Sequence, residues 1–288
     1  MLRKNRKFFQ KIVCYLYLDR ILGYLGRHQI FMRLVYFLAP DPEFYKPSTV
    51  RKINFRGLEF FVKMNDMASW ANYFGFFTED IDCLRIIIPA TSSDKIILDV
   101  GANNGRWALL ISNFLKFSRI ECFEPFPKTF EFLQENINLN KNIKKEIYTH
   151  QFALGSQQGQ FFMESDHIQN SGMNKISNIK TDYQILVKTI DSFLIDQTNP
   201  AVSVIKIDVE GYEMEVLRGA KETLNKYHPA IVCEIDDSLL QINNSSPYEI
   251  FIFLEQLGYQ IYKLPRFEIL KSSDILKNIH IDILALKN

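Results

Sequence analysis

From residue 95 onward the chain alternates short apolar runs with longer mixed stretches, and this rhythm narrows the fold more than any other feature. KIILDV is followed by RWALLISNFLKF, and RIECFE by PKTFEFLQENINLN. VSVIKIDV is followed by EMEVLRGAKETLNKY, and PAIVCEI by YEIFIFLEQLG. Short β-branched and aliphatic runs predict strands, and the longer stretches between them predict helices. Strands alternating with helices predict an α/β fold with a doubly wound, mostly parallel sheet. EIYTHQFALG predicts a third strand. After Gly155 come shorter strands, QFFMES and QILVKTI, around the polar loop SDHIQNSGMNKISNIKTD. The last runs, YQIYKL and IDILALK, predict an antiparallel edge. A 288-residue chain that is 47% hydrophobic can fill a core of that size.

Upstream, residues 1–40 carry apolar positions at mixed spacings of three and four, which predicts helices, and Pro40-Asp41-Pro42 stops the pattern. VRKINFRGLEFFVKM predicts a hairpin about Gly57, with Ile53, Phe55, Phe60 and Val62 on one face. Residues 66–90 predict a further helix ending at Pro89. The expected division is an N-terminal helical extension, 1–48, and a main domain, 49–288, with its motif core at 95–235. The extension has two readings. It packs on the main domain, or it lies on a membrane surface, because five basic residues precede the first acid and aromatics follow closely. The run Ile12 to Leu18 is shorter than the ~20 apolar residues that span a bilayer. No small-residue cleavage site follows it. Four scattered cysteines without a CxxC pair fit a reducing compartment. The expectation is a cytoplasmic protein, with peripheral contact at the inner face of the membrane as the second reading of residues 1–40. A formal net charge of +1 predicts no general attraction to nucleic acid.

In a sheet of this kind ligands bind beyond the carboxyl ends of the strands. Asp99, Gly101, Asn103 and Gly105, in ILDVGANNG, fall there. Gly101 permits a tight turn, and Gly105 lets the next helix pack close. The helix start offers unpaired N–H groups. A dinucleotide site wants G-x-G-x-x-G; here the middle glycine is absent, and Asn103 would crowd a diphosphate. Asp99 suits a ligand with an amino group. S-adenosylmethionine carries an amine, a carboxylate and a sulfonium. Glu124, ending the second strand, is placed to accept both ribose hydroxyls. At Phe152 and Ala153, which close the third strand, the backbone can read an adenine edge. Phe152 either stacks there or belongs to the core.

Along VSVIKIDV, alternation puts Lys206, Asp208 and Glu210 on one face and Ile205, Ile207 and Val209 on the other. Three charges on one face of a central strand are costly to bury unless paired. Asp208 is the expected base or orienter of an acceptor hydroxyl. Glu210 supports it or binds backbone amides, and Lys206 neutralises the two acids. The competing reading is a structural ion pair plus a helix cap. Asp208, Glu210 and Glu234 offer the oxygens magnesium takes, but no histidine or tight carboxylate cluster supports a metal, and none is expected. His167, in the polar loop, is a second candidate base, and His150 reads as structural. Tyr73, Phe74, Phe76 and Glu79 either close over the ligand or form an ordinary packed helix.

Taken in order, ILDVGANNG, CFEPFPKTFEFLQENI, FALG, VKTIDSF, IKIDVEGYEMEVLRGA and PAIVCEI resemble the FkbM family of S-adenosylmethionine-dependent methyltransferases. The resemblance implies a Rossmann-like class I methyltransferase fold and S-adenosyl-L-methionine as cofactor. It implies O-methylation of a hydroxyl on a sugar, glycan or related small metabolite. It puts Asp99, Gly101, Asn103 and Gly105 on the methionine part, Glu124 on the ribose, and Asp208 beside the transferring methyl. Residues 1–60 and 165–182 carry no match and are expected to decide the acceptor. The rivals are a catalytically inactive Rossmann-fold scaffold and an NAD-dependent oxidoreductase. The intact acids and glycines speak against the first, and the missing middle glycine against the second. A nucleic-acid methyltransferase would show a Lys/Arg cluster near the fourth strand, which is absent.

Overall fold

The structure is a computed structural model. It describes residues 2–75, 95–112, 119–141, 146–164, 175–177, 181, 183–274 and 278–287. Contacts divide the chain into two units, Met1–Thr78 with Asp166–Gly172, and Glu79–Ser165 with Met173–Asn288. The hairpin and the helix after it group with the N-terminal helices.

The first unit holds helices α1 (Leu2–Tyr15), α2 (Asp19–Arg27) and α3 (Met32–Leu38), the hairpin β1 (Val50–Phe55) and β2 (Leu58–Lys63), and helix α4 (Met67–Phe74). Ile53 faces Phe60 across the hairpin, and both are buried with Val62, as the alternation predicts. α2 lies close on α4 because Gly26 has no side chain; a Cβ there would fall 1.9 Å from the Phe74 carbonyl oxygen. Asp19, which interrupts the apolar run of the sequence, is fully buried. It accepts a hydrogen bond from the Tyr45 hydroxyl at 2.8 Å and pairs with Arg51 at 2.5 Å. A buried carboxylate is tolerable only with such partners. Asp66 caps α4 by accepting from the Ser69 amide at 2.9 Å. The helix ends at Phe74, capped by Gly75 in the left-handed conformation, and the rest of the stretch expected to be helical, 76–90, lies outside the described residues. Tyr73 and Phe74 are buried, and Arg51 donates to the Tyr73 hydroxyl at 2.8 Å. Both are therefore core residues of this unit. Phe76 and Glu79 lie outside the described residues.

The second unit runs β3 (Ile96–Val100), α5 (Arg106–Ser112), β4 (Arg119–Phe123), α6 (Pro127–Leu139), β5 (Ile147–His150) and β6 (Ala153–Leu154). It continues with β7 (Gly159–Glu164), β8 (Lys175–Ser177), β9 (Tyr183–Lys188), α7 (Ile190–Asp196), β10 (Val202–Ile207), α8 (Glu213–Arg218) and α9 (Lys221–Tyr227). It ends with β11 (Ala230–Asp236), α10 (Asp237–Ile242), α11 (Pro247–Gln256), β12 (Gln260–Lys263), β13 (Glu268–Leu270) and β14 (His280–Leu286).

The main sheet has the order β13-β12-β14-β11-β10-β3-β4-β5. β5, β4, β3, β10 and β11 are parallel, and β14 runs antiparallel between β11 and β12. This is the doubly wound order with one reversed strand inserted, and the antiparallel edge matches the expectation. The strand order reverses between β3 and β10, which is where such sheets open a crevice for a ligand. Ile96, Leu98 and Val100 of β3 share a core with Ile205 and Ile207 of β10 and with Phe193, Leu217 and Phe251 from helices.

The predicted third strand is divided. Its first half, β5, joins the main sheet, while Ala153–Leu154 pairs with β9 in a second sheet of order β6-β9-β7-β8. α7 escaped the sequence reading; Thr189 and Ser192 form a reciprocal capping box at its start. The single helix expected after β10 is two, α8 and α9, broken at Gly219-Ala220, where Gly219 lies against the Gly155 carbonyl. Cys14, Cys122 and Cys233 are free thiols. Cys83 lies outside the described residues.

Candidate functional site at the carboxyl edge of the sheet

Register brings the site together. Lys206 of β10 lies beside Asp99 of β3, and Asp99 beside Cys122 of β4. Beyond the strands, each end leans on its neighbour. The Asp208 amide donates to Val100 O at 3.1 Å, and the Gly101 and Ala102 amides donate to Phe123 O at 3.0 and 2.9 Å. The Glu124 amide donates to His150 O at 3.1 Å. Four neighbouring strand ends, those of β10, β3, β4 and β5, are thereby held in one row.

Gly101 has φ +79°, and a Cβ there would sit 1.8 Å from the Asp208 carbonyl oxygen. Only glycine allows both the backbone geometry and this approach. Gly105 serves packing against α6 rather than of the next helix on its strand: a Cβ there would meet Leu133 Cδ1 at 2.7 Å, and its φ is +79°. Asn103 adopts φ +46°, and its amide donates to Glu124 Oε2 at 3.1 Å. The Phe126 amide donates to Glu124 Oε1 at 2.9 Å. Glu124 is thus fixed by the two turns flanking it. Burial pushes its pKa up to about 7, against the opposing effect of these two amides.

Lys206 ties the row into one electrostatic unit. Its Nζ donates to Gly101 O at 2.9 Å and lies 3.1 Å from Asp208 Oδ2 and 3.5 Å from Asp99 Oδ1. Burial alone would lower its pKa; Asp208 and Asp99 together outweigh that and raise it. One ammonium therefore faces two carboxylates. Asp99 is fully buried, and neither of its oxygens has a hydrogen-bond partner. Burial raises its pKa despite Lys206. A buried carboxylate whose one charge partner among the described residues, Lys206, stands 3.5 Å away and is shared with Asp208 fits a cationic ligand bearing N–H donors.

Asp208 is held below the ordinary carboxylate range. Burial works against this, but Lys206 and a hydrogen bond from Glu234 prevail. Glu234 is shifted the other way, by burial and by Asp208. Glu234 thus carries the proton the pair shares, and Asp208 the charge. Beyond Glu234 stands His280, with Nε2 at 3.3 Å from Glu234 Oε1 and Nδ1 at 2.8 Å from Asp236 Oδ2. Asp236 also caps α10 by accepting from the Ser238 and Leu239 amides.

Comparison with known proteins decides which family this geometry serves. The Methyltransferase FkbM domain matches residues 99–261, more than half of the chain. The chain belongs to the FkbM methyltransferase family. It is 31% identical over 153 residues to the hexuronic acid methyltransferase AglP of Haloferax volcanii, covering 52% of this chain and 60% of that protein. It is 29% identical over 166 residues to methyltransferase 1 of Beauveria bassiana, covering 50% of this chain and 66% of that protein. The chain thus spans less than two-thirds of each of these relatives. A solved FkbM methyltransferase from Methylobacillus flagellatus aligns with 97% of this chain and 60% of its own, at 17% identity and a TM-score of 0.46.

Within this FkbM-family sheet, Asp99, Gly101, Asn103, Glu124, Lys206 and Asp208 are brought into one connected row. Glu210 stands in the turn after β10 at φ +55°, and burial, then Asp208 and Glu213, push its pKa up to about 8. The turn amides expected for Glu210 are held instead by Glu213, whose Oε1 accepts from Val209 N at 3.2 Å and Gly211 N at 3.0 Å. A glutamate at the helix start reaches back over its own turn more directly than one inside it.

The Phe152 ring packs among Phe123, His150 and Phe193, with Lys188 Nζ 5.3 Å over it. That is the core alternative for Phe152. Ala153 is buried in a small cluster with Phe126, the residue whose amide holds Glu124. His150 is structural as expected, 2.6 Å from buried Glu121 and stacked on Phe123. His167 lies outside the described residues. Among the described residues, no group of three or more His, Cys, Asp or Glu is arranged to hold a metal.

The sequence reading missed His280 and Asp236. Antiparallel pairing sets Asp236 opposite His280 and Glu234 opposite Asp282. The available signal was the alternation Glu234-Ile235-Asp236 and His280-Ile281-Asp282, but only the register shows that the two meet.

Proposed function

We propose that the protein transfers a methyl group from S-adenosylmethionine to a hydroxyl oxygen of a sugar, glycan or related small metabolite. The observation that carries this reading is the row itself: a glycine turn, two buried carboxylates and a lysine-clamped third carboxylate at the switch point of a parallel sheet. Family membership supports methyl transfer. The name of the Haloferax relative, a hexuronic acid methyltransferase, supports a sugar acceptor.

The cofactor is S-adenosylmethionine, and when bound it supplies an electrophilic methyl carbon with a neutral thioether as leaving group. Asp99 complements its positive charge, and Gly101 and Asn103 shape the turn that receives its methionine part. Glu124, already anchored by two amides, keeps acceptor capacity on both oxygens for ribose hydroxyls. Asp208 orients the acceptor hydroxyl and takes its proton as the new O–C bond forms. A carboxylate kept ionised by Lys206 is available for this over the whole neutral range. Exposed His280 stands 3.3 Å from Glu234 and is hydrogen-bonded to Asp236 at 2.8 Å, which links the acid pair to solvent. That link lets the proton leave.

Isothermal titration with S-adenosylmethionine, followed by methyl transfer to a panel of uronic acids and neutral sugars, tests this reading. The wild type is expected to release heat on cofactor addition and to methylate a panel member. Asp208→Asn is expected to bind cofactor within a few-fold of wild type while turnover falls by about 100-fold or more. No heat at millimolar cofactor would overturn the assignment.

A further inference from the structure

The outer faces of α1, α2 and α3 are apolar, yet nothing among the described residues covers them. Fourteen of the 22 large apolar side chains exposed among the described residues fall within residues 8–37. Each helix spends one stripe on packing and leaves a second apolar stripe in solvent. In α1, Gln10 and Val13 are buried, while Phe8, Ile12 and Tyr15 are exposed at helical spacing on the other side. In α2, Leu22, Gly23 and Gly26 face inward, and Ile21 and Tyr24 outward. In α3, Val35 is buried, and Leu34, Tyr36 and Phe37 are exposed. Scattered single apolar residues need no explanation, but a concentration of this extent does.

Tyr17 and Phe31 sharpen the point. They precede α2 and α3 at φ +57° and +52°, a region bulky side chains disfavour. Their side chains are nevertheless 67% and 70% exposed.

Charge identifies the occupant. Residues 1–37 hold eight of the chain's 34 Lys and Arg but only one of its 33 Asp and Glu. That one, Asp19, is buried and paired inside the unit. The remainder of the chain therefore carries more acid than base, and the basic excess is confined to the helices with the exposed aromatics. Lys11, Arg20 and Arg33 stand exposed among them. Two copies meeting through this face symmetrically would bring like charges together. An anionic bilayer surface satisfies both features, the aromatics entering the headgroup boundary and the cations meeting lipid phosphates. No helix among the described residues is long and apolar enough to cross a membrane, so the helices lie on it.

We propose that α1, α2 and α3 form an interfacial anchor for an anionic phospholipid surface. Flotation of the full chain with vesicles of phosphatidylcholine, with and without phosphatidylglycerol, tests it. Binding is expected to the phosphatidylglycerol vesicles and to weaken at high salt. Lys11→Gln, Arg20→Gln and Arg33→Gln are each expected to reduce partitioning by about fivefold. The triple variant Phe8→Ser, Tyr17→Asn, Phe31→Asn is expected to abolish it. These side chains are exposed and asparagine tolerates the left-handed backbone, so an unchanged circular dichroism spectrum is expected. Absence of binding to the phosphatidylglycerol vesicles overturns the proposal. A stable dimer in light scattering that the triple variant converts to monomer assigns the face to a second copy and also overturns it. Flotation needs neither cofactor nor acceptor, so its failure would leave the methyl-transfer reading intact.

Discussion

Gly101 is the residue on which the site closes. Its positive φ and the Asp208 carbonyl at 1.8 Å from any added Cβ make two independent demands that alanine fails. Gly101→Ala is expected to destabilise the protein by about 2 kcal/mol or more. Part of that cost is local, because the Asp208 turn must retreat from β3. The check is a urea titration alongside cofactor titration: both the midpoint and the affinity should fall. Asp99, by contrast, was readable from the sequence as an acid at a strand end, but not as an orphan. Lys206 stands closer to Gly101 O and Asp208 than to Asp99, which it meets only at 3.5 Å. No spacing in the sequence encodes how a lysine divides itself among three oxygens.

The turn joining β10 to α8 sets buried Glu213 beside half-buried Asp208 and Glu210, and its behaviour with pH follows. Burial pushes Glu213 from 4.5 up to about 7, and the Val209 and Gly211 amides only partly oppose this. A carboxyl with a raised folded pKa favours the folded state while protonated. Its contribution is present in full below pH 4.5 and is lost as pH rises through about 7. Glu124, raised to about 7, and Glu210, raised to about 8, act in the same direction. Melting temperature of the cofactor-free protein is therefore expected to fall between pH 5 and pH 8. Glu213→Gln keeps an acceptor for the turn amides and removes one titration. A melting series across that range should show a shallower slope in the variant; an unchanged slope would remove Glu213 from the account. The sequence showed that this strand ended in charges. Which glutamate holds the turn was a matter of reach, settled only by the positive φ of Glu210 and Gly211.

At the scale of the molecule, each unit holds one of the two tryptophans, Trp70 in α4 and Trp107 in α5. All the proposed cofactor residues belong to the second unit. S-adenosylmethionine at 100 times its Kd is expected to stabilise that unit by about 2.7 kcal/mol. In a Trp70→Phe variant, unfolding followed by Trp107 fluorescence should move to higher urea with cofactor. An unmoved midpoint at saturating cofactor would contradict binding at the β3–β10 edge. What the sequence by itself determined was the alternation of strands and helices, the glycine turn, and an acid at the end of each of three strands. Those are local facts of apolar periodicity and backbone sterics. Only tertiary structure decided the division of the predicted third strand between two sheets, the grouping of the hairpin with the N-terminal helices, and the meeting of Glu234 with His280. Each of these depends on pairing register or on competition between distant surfaces for burial, and neither is encoded in any short stretch of chain.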